Sequence, residues 1–308
     1  MKKIIFLFLF LLTTAACQSH KHWPVSKDKP SEKIKVLIVD GFSNHNWKAT
    51  TQTVKDILEK SNLFTVTVST VPGNKKTKAL ASWNPRFEQY DVVIQNCNNI
   101  SNRRRWPAHV EKTFEQYMRG GGGLYILHSA NNAFKHWKEY NRMIGLGWRS
   151  KTFGDAIIIE KGKPKRVPKG KGRGTSHGKR TNPLITRLAN HPIHKGLPRQ
   201  FIATDIEIYT YARGPAKEVT VLSYAMDPRL KINFPIEWTV KYHLGRVYAS
   251  SFGHYWPNQN NPPSVRCVAF QTLLVRGVEW LARGDTSTQI PKNFPTAKQS
   301  AVLPMLKN

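Results

Sequence analysis

Acidic residues are scarce in this chain: 19 Asp and Glu stand against 48 Lys and Arg, a formal charge of +29 over 308 residues. Such an imbalance bears on solubility, partners and association rates rather than on fold. Cysteine is nearly missing as well, with only Cys17, Cys97 and Cys267. Three cysteines without C-x-x-C spacing exclude a disulfide framework and a zinc knuckle. Cys97, at the end of an apolar run, and Cys267, inside a helical pattern, read as buried free thiols. Long apolar runs are lacking too. The longest near the start, Ile4 to Leu12, has nine residues, and a bilayer span needs about 20. Also absent are the HExxH spacing of metalloproteases and the Lys-Ser/Thr of a phosphate loop, and Ser129, which follows a strand, is flanked by His128 and Ala130 instead of the glycines of a G-x-S-x-G elbow.

What the start does contain is Lys2-Lys3, the apolar run, and Thr13-Thr14-Ala15-Ala16-Cys17. A basic n-region, a short apolar core and small residues before a cysteine make an export signal of lipobox type, with Cys17 the lipidation site. Residues 1–17 are therefore expected to be a lipoprotein signal peptide and 18–33 a polar linker with Pro24 and Pro30. The product is expected to be exported and anchored by lipid to a bacterial membrane, facing the periplasm. Residues 34–284 suffice for one large α/β domain. Residues 285–308, with Pro291, Pro295 and Pro304, read as a loosely packed extension.

Lys35–Val39, Phe64–Ser69, Asp91–Gln95 and Leu124–Leu127 are short β-type runs, and helical spacing over Trp47–Lys60 and from Val110 to Met118 separates them. That rhythm implies parallel βαβ units. The glycines Gly120–Gly123 follow a helix and precede a strand, which suits a helix end and a tight turn rather than a phosphate cradle. The second half is strand-rich, over Ala156–Glu160, Phe201–Tyr211, Glu218–Ala225, Phe234–Val240 and Gly245–Ser251, and Val265–Leu281 closes the domain as a helix. The fold class is α/β: a doubly wound, mostly parallel sheet with an antiparallel strand extension. Between these runs, Lys161–Arg180 holds nine basic residues and no acid. It reads as a solvated loop, with capture of an anionic glycan or a lipid headgroup as the functional alternative. It lacks the interleaved aromatics of a single-strand platform, so no nucleic acid partner is expected.

In an open α/β sheet, ligands gather at the strand carboxyl ends. Those ends carry Asp40, Asn44 and His45; Asn96 and Asn98; His128, Ser129 and Asn131; and, after Gly245–Ser251, His254. Histidines 45, 128 and 254 read either as ligands of a zinc-like divalent metal or as acid–base and substrate-binding groups without metal. No cofactor beyond that metal is implied. Alternation places Asp205, Glu207 and Tyr209 on one face, the carboxylates being either an acid and base pair or salt-bridged groups. Trp47, Trp148 and Trp256 flank the expected site and offer faces on which a sugar can stack.

At these residues the chain resembles the ThuA-like (trehalose utilisation) family. The shared pieces are the Gly41-to-Trp47 loop, the Asp91 strand, the block GGGGLYILHSANNAF and its continuation to Trp148, then HPIHKGL, DIEIY and GRVYASSFGH. They run in order over nearly the whole domain. The resemblance implies a flavodoxin-like fold of the class I glutamine amidotransferase kind. The turn that carries the amidotransferase cysteine here holds His128-Ser129, so glutamine hydrolysis is not implied. It also implies a role in bacterial disaccharide use, alongside dehydrogenases that make 3-keto sugars. Carried over residue by residue, the site is His45, His128, Asn131, His194, Glu207 and His254. Two departures stand out: DIEIY in place of DELY, and the basic segment Lys161–Arg180.

The expectation is thus an exported protein of disaccharide or keto-sugar utilisation, hydrolase- or isomerase-like, with His128, His254 and Glu207 catalytic. Asn44, Asn131, Trp148, His194 and Trp256 are expected to bind the carbohydrate. The alternative is a non-catalytic lipoprotein that binds glycans or polyanions.

Overall fold

In the computed structural model residues 32–73 and 77–305 are described. The expected signal peptide with Cys17, and the linker up to residue 31, lie outside them. Twelve strands form one mixed sheet. They are β1 (Ile34–Asp40), β2 (Phe64–Thr70), β3 (Val92–Gln95), β4 (Gly123–Leu127), β5 (Asp155–Glu160), β6 (Lys163–Val167), β7 (Leu184–Arg187), β8 (Gln200–Ile202), β9 (Arg213–Gly214), β10 (Val219–Asp227), β11 (Ile232–Tyr242) and β12 (Gly245–Ser250). The helices are α1 (Trp47–Lys60), α2 (Lys78–Ser82), α3 (Ala108–Arg119), α4 (Lys138–Ile144), α5 (Pro263–Arg266) and α6 (Val268–Arg283).

The centre is a parallel array in the order β2-β1-β3-β4-β12, which is the doubly wound flavodoxin-like order. Its strands are apolar throughout because both faces are covered. In β1, Val36 and Ile38 pack with Val54 and Leu58 of α1 and with α6, while Leu37 and Val39 pack on the α3 and α4 side. β4 divides likewise, Tyr125 and Leu127 to one core and Leu124 and Ile126 to the other. From β12 the sheet continues antiparallel through β11, β10, β7 and β8, with β5, β6 and β9 beside β11. The antiparallel extension is therefore larger than the sequence suggested.

Three expectations are corrected. The segment Lys161–Arg180 is not a free loop. Lys163–Val167 is β6, paired residue for residue with β5, and Ser176 and Thr181 bridge to Thr210 and Ile206. Lysine in a two-stranded edge keeps its charge in water while its backbone is bonded, so composition alone misleads here. Phe201–Tyr211 is not one strand: β8 ends at Ile202 and Asp205 has φ +58°. Residues 285–305 are not loosely packed. Phe294 is buried against Phe201, Val302 bridges Cys267, and Ser287 and Thr288 donate to buried Glu279. That bridge also breaks the closing helix at Cys267, which has extended ψ. Both Cys97 and Cys267 are buried and free. Among the described residues no helix is long and apolar enough to cross a membrane.

Candidate functional site

Four strand ends of the parallel array build the site. After β1 the chain turns through Asn44 and His45 into α1, which Asn46 caps by accepting from the Ala49 N–H. Asn44 Oδ1 accepts from Asn98 Nδ2 at 2.7 Å, so the loops after β1 and β3 are joined, and the same oxygen lies 3.0 Å from His45 Nδ1. After β4, His128 opens a short 3-10 turn at φ +44°, a left-handed conformation that a histidine adopts only when its surroundings hold it. They do: Gln95 donates to Tyr140 Oη, which donates to the Ala130 carbonyl at 2.7 Å. Arg149, 3 % exposed, donates to the carbonyls of Asn132, Ala133 and Trp148. After β12, Gly253 takes φ +87° where a Cβ would meet the Phe270 ring at 2.9 Å, and His254 follows.

The rings of His45, His128 and His254 form a near-equilateral triangle, with centroids 5.1, 5.0 and 5.1 Å apart. Glu207 joins from the segment after β8: Oε1 is 3.3 Å from His254 Nε2 and Oε2 is 3.7 Å from His128 Nε2. One ligand atom from each of the four residues lies within 4.8 Å of all the others. His128 Nδ1 is 2.8 Å from the Ser251 carbonyl, which only accepts, so that nitrogen carries the proton and Nε2 presents its lone pair to the cluster. His45 is held the same way by Asn44, and its buried Nε2 has no hydrogen-bond partner. Tyr209 Oη, 3.2 Å from His128 Nε2, is the nearest hydroxyl.

Burial sets the electrostatics. It pulls His45 down to about 4, helped by the neighbouring His254, and carries His128 well below the ordinary imidazole range. Both are neutral at pH 7 and competent as ligands. For Glu207 burial acts upward, but the hydrogen bond from His254 and the charges of the neighbouring histidines outweigh it and hold the carboxyl at about 2.

The expected residues divide clearly. His45, His128, His254 and Glu207 meet. Trp256, 41 % exposed, stacks on His254 at 10° and abuts His45, so it forms a rim. Trp148 stands one ring further out, against Tyr209 and His177. Asn44 acts through His45, and Asn131 is buried with its Oδ1 unpartnered. His194 is not brought to the cluster. It is fully buried with Nε2 3.2 Å from Glu237 Oε2, and Ser223 and Tyr248 donate to the same carboxylate. A carboxylate on a central strand requires such donors, and the His194 ring lies beside it at ion-pair distance. Asp205, Glu207 and Tyr209 do face one way, although not as strand residues: Asp205 pairs with Arg180, and the other two reach the histidines.

Sequence reasoning missed His177 and Arg180. His177 Nδ1 is 3.7 Å from Glu207 Oε1, and Arg180 Nη1 is 2.7 Å from His254 Nδ1. Both belong to the basic segment, where no periodicity marks them.

The profile of the family described as trehalose utilisation (ThuA) matches residues 35–281. The chain belongs to the ThuA family. A crystal structure of a ThuA-like protein from Parabacteroides merdae superposes with a TM-score of 0.82 at 31% identity, covering 88% of this chain and 98% of that one. A β-galactosidase from Bacillus circulans sp. alkalophilus is similar over 80% of this chain and 30% of its own, at 13% identity and a TM-score of 0.43. No curated protein matches the sequence. ThuA membership carries with it an association with carbohydrate utilisation. In this ThuA chain the turn after β4 holds His128 and Ser129, and Cys97 is buried after β3, so no cysteine occupies that turn.

Proposed function

We propose that His45, His128, His254 and Glu207 form a divalent-metal centre, zinc-like in its ligands, that acts on a sugar in carbohydrate utilisation. The observation that carries this reading is the convergence of four ligand atoms within 4.8 Å, from four separate chain segments. Three imidazoles and a carboxylate suit zinc and other late divalent metals. The protons fixed on His45 Nδ1 and His128 Nδ1 are the usual orientation of ligating histidines. A metal held there supplies Lewis acidity or an activated water. The chain supplies the rest. Glu207 keeps an ionised carboxylate beside the reacting group, Tyr209 holds a proton next to His128, and Trp256 offers a rim on which a sugar ring can stack. Hydrolysis or isomerisation of a disaccharide or keto-sugar is the reaction class this arrangement serves.

The reading is tested by turnover of disaccharides and their keto derivatives. His128→Ala and His254→Ala should each lower it by about a hundredfold or more. Unchanged turnover in both variants refutes it.

A second reading has its own observation. Arg180 donates to His254 Nδ1, which leaves the proton of that ring on Nε2 facing Glu207, an Arg–His–Glu array for proton transfer without metal. Turnover that survives complete chelation selects this array. Retention on a sulfated glycan with no turnover of any sugar selects instead a binding lipoprotein. Export and lipidation at Cys17 belong to the same proposal, and a Cys17→Ala protein should lose both its acyl mass and its membrane association.

A further inference from the structure

A cleft of about 820 Å³ lies beside the cluster. Its walls come from the loop after β3, the end of the turn after β4, and residues 148–150 and 174–175. Trp148 lines it, and the same indole packs on Tyr209 and on His177, the neighbours of His128 and Glu207. Between the cleft and the histidine cluster thus stand Trp148 and, behind it, the rings of Tyr209 and His177.

No carboxylate lines this cleft, whereas Arg103, Arg105, Lys135, His136 and Arg149 all do. Two acids stand behind the wall, and each is already engaged. Glu111 takes Arg105 with both oxygens, and Glu115 accepts from Trp137 Nε1. Among the described residues, the exposed side chains of Arg103 and Lys135 make no hydrogen bond or ion pair. Arg149 is the decisive group. Its guanidinium is buried, its partners are the Asn141 amide oxygen and backbone carbonyls, and no anion offsets its charge. A buried cation without a counter-charge projects its field into the nearest solvent-filled space, and a cleft with low-dielectric walls focuses that field. Asn132 Oδ1, buried at the same wall, lacks a partner.

The geometry points to a cleft that receives an anionic group of the saccharide, a carboxylate or a sulfate, while another part of the same molecule reaches the histidine cluster. The substrate class is then an acidic glycan fragment, of uronic-acid or sulfated type, rather than a neutral disaccharide. Arg103 and Lys135 would contact the anion, and Arg149 would act through its field. The inference rests on the saccharide reading of the site but not on its chemistry.

The test is calorimetric binding of the full chain to three matched disaccharides: one neutral, one carrying a uronic acid, one carrying a sulfate. The expected result is at least about tenfold tighter binding of an acidic probe, a charge-assisted contact being roughly twice as strong as a neutral one. Whichever acidic probe binds more tightly names the anion. The double variant Arg103→Gln, Lys135→Gln should abolish that preference and leave the metal content and the neutral probe unchanged. Lys163→Gln with Lys169→Gln, in the basic segment but outside the lining of the cleft, should leave the preference intact. Equal binding of neutral and acidic probes, binding of neither acidic probe, or equal loss of preference in both double variants overturns the inference. Loss of turnover in His128→Ala with the preference retained would leave the cleft standing, because that variant reports on the reaction alone.

Discussion

Arg180 Nη1 lies 2.7 Å from His254 Nδ1, so a basic segment that looks like solvated loop reaches the centre of the site. The same guanidinium places Nε 2.8 Å from Asp205 Oδ1, which anchors it. A fixed positive charge beside three imidazoles and one carboxylate opposes any cation that would bind among them. Arg180→Gln should therefore tighten zinc binding, by up to about fivefold for a charge that remains partly solvated. A competition titration with a chromogenic chelator reads this. Weaker binding in the variant would mean that Arg180 orients His254 as a ligand instead of competing for it.

Trp256 is the only exposed aromatic among the described residues that touches two of the cluster histidines, stacking on one and standing edge-on to the other. Trp256→Ala should raise KM by roughly fivefold to tenfold, the scale of one aromatic contact, with kcat nearly unchanged. A fall in kcat at constant KM would assign the indole to positioning His254 rather than to binding sugar.

Glu279 gives the sign of one pH effect. Burial acts to raise its pKa, but the hydroxyls and amide N–H groups of Ser287 and Thr288 outweigh it and hold the carboxyl below its ordinary value. As pH falls, the unfolded chain takes up the proton first. The stabilisation is therefore complete above the ordinary carboxylate pKa and is lost as pH falls through that value toward the lower folded one. Since Glu279 ties residues 285–305 to α6, Glu279→Gln should lower Tm at pH 7 and flatten its decline between about pH 5 and pH 3. A variant whose Tm falls with acid as steeply as the parent's would contradict the assignment.

Much of the fold was legible because its signals are local. β1, β3 and β4 are apolar runs buried on both faces, and their ends are marked by Asp40, Gln95 and His128. Once the strands are placed, a doubly wound order brings His45, His128 and His254 to one edge without further information. Glu207 was singled out by alternation and by resemblance to the family, and its geometry followed only with the structure. What stayed hidden is irregular. His177 and Arg180 are delivered by isolated bridges at Ser176 and Thr181, which leave no periodic trace. His194 looked like a site residue because motif residues share a block, yet it lies fully buried beside Glu237, away from the cluster. The tail beyond Gly284 is rich in proline and still packs, since its anchors are Phe294, Val302 and the carbonyls that Arg276 and Arg266 hold.

The central claim is that four residues from four segments make one metal centre, and equilibrium zinc binding by the intact protein tests it most directly. The account predicts one tightly bound zinc per chain, with affinity lowered at least about tenfold in His128→Ala and in Glu207→Gln while Tm stays near that of the parent. Zinc binding that is absent, or that both variants leave unchanged, would contradict it.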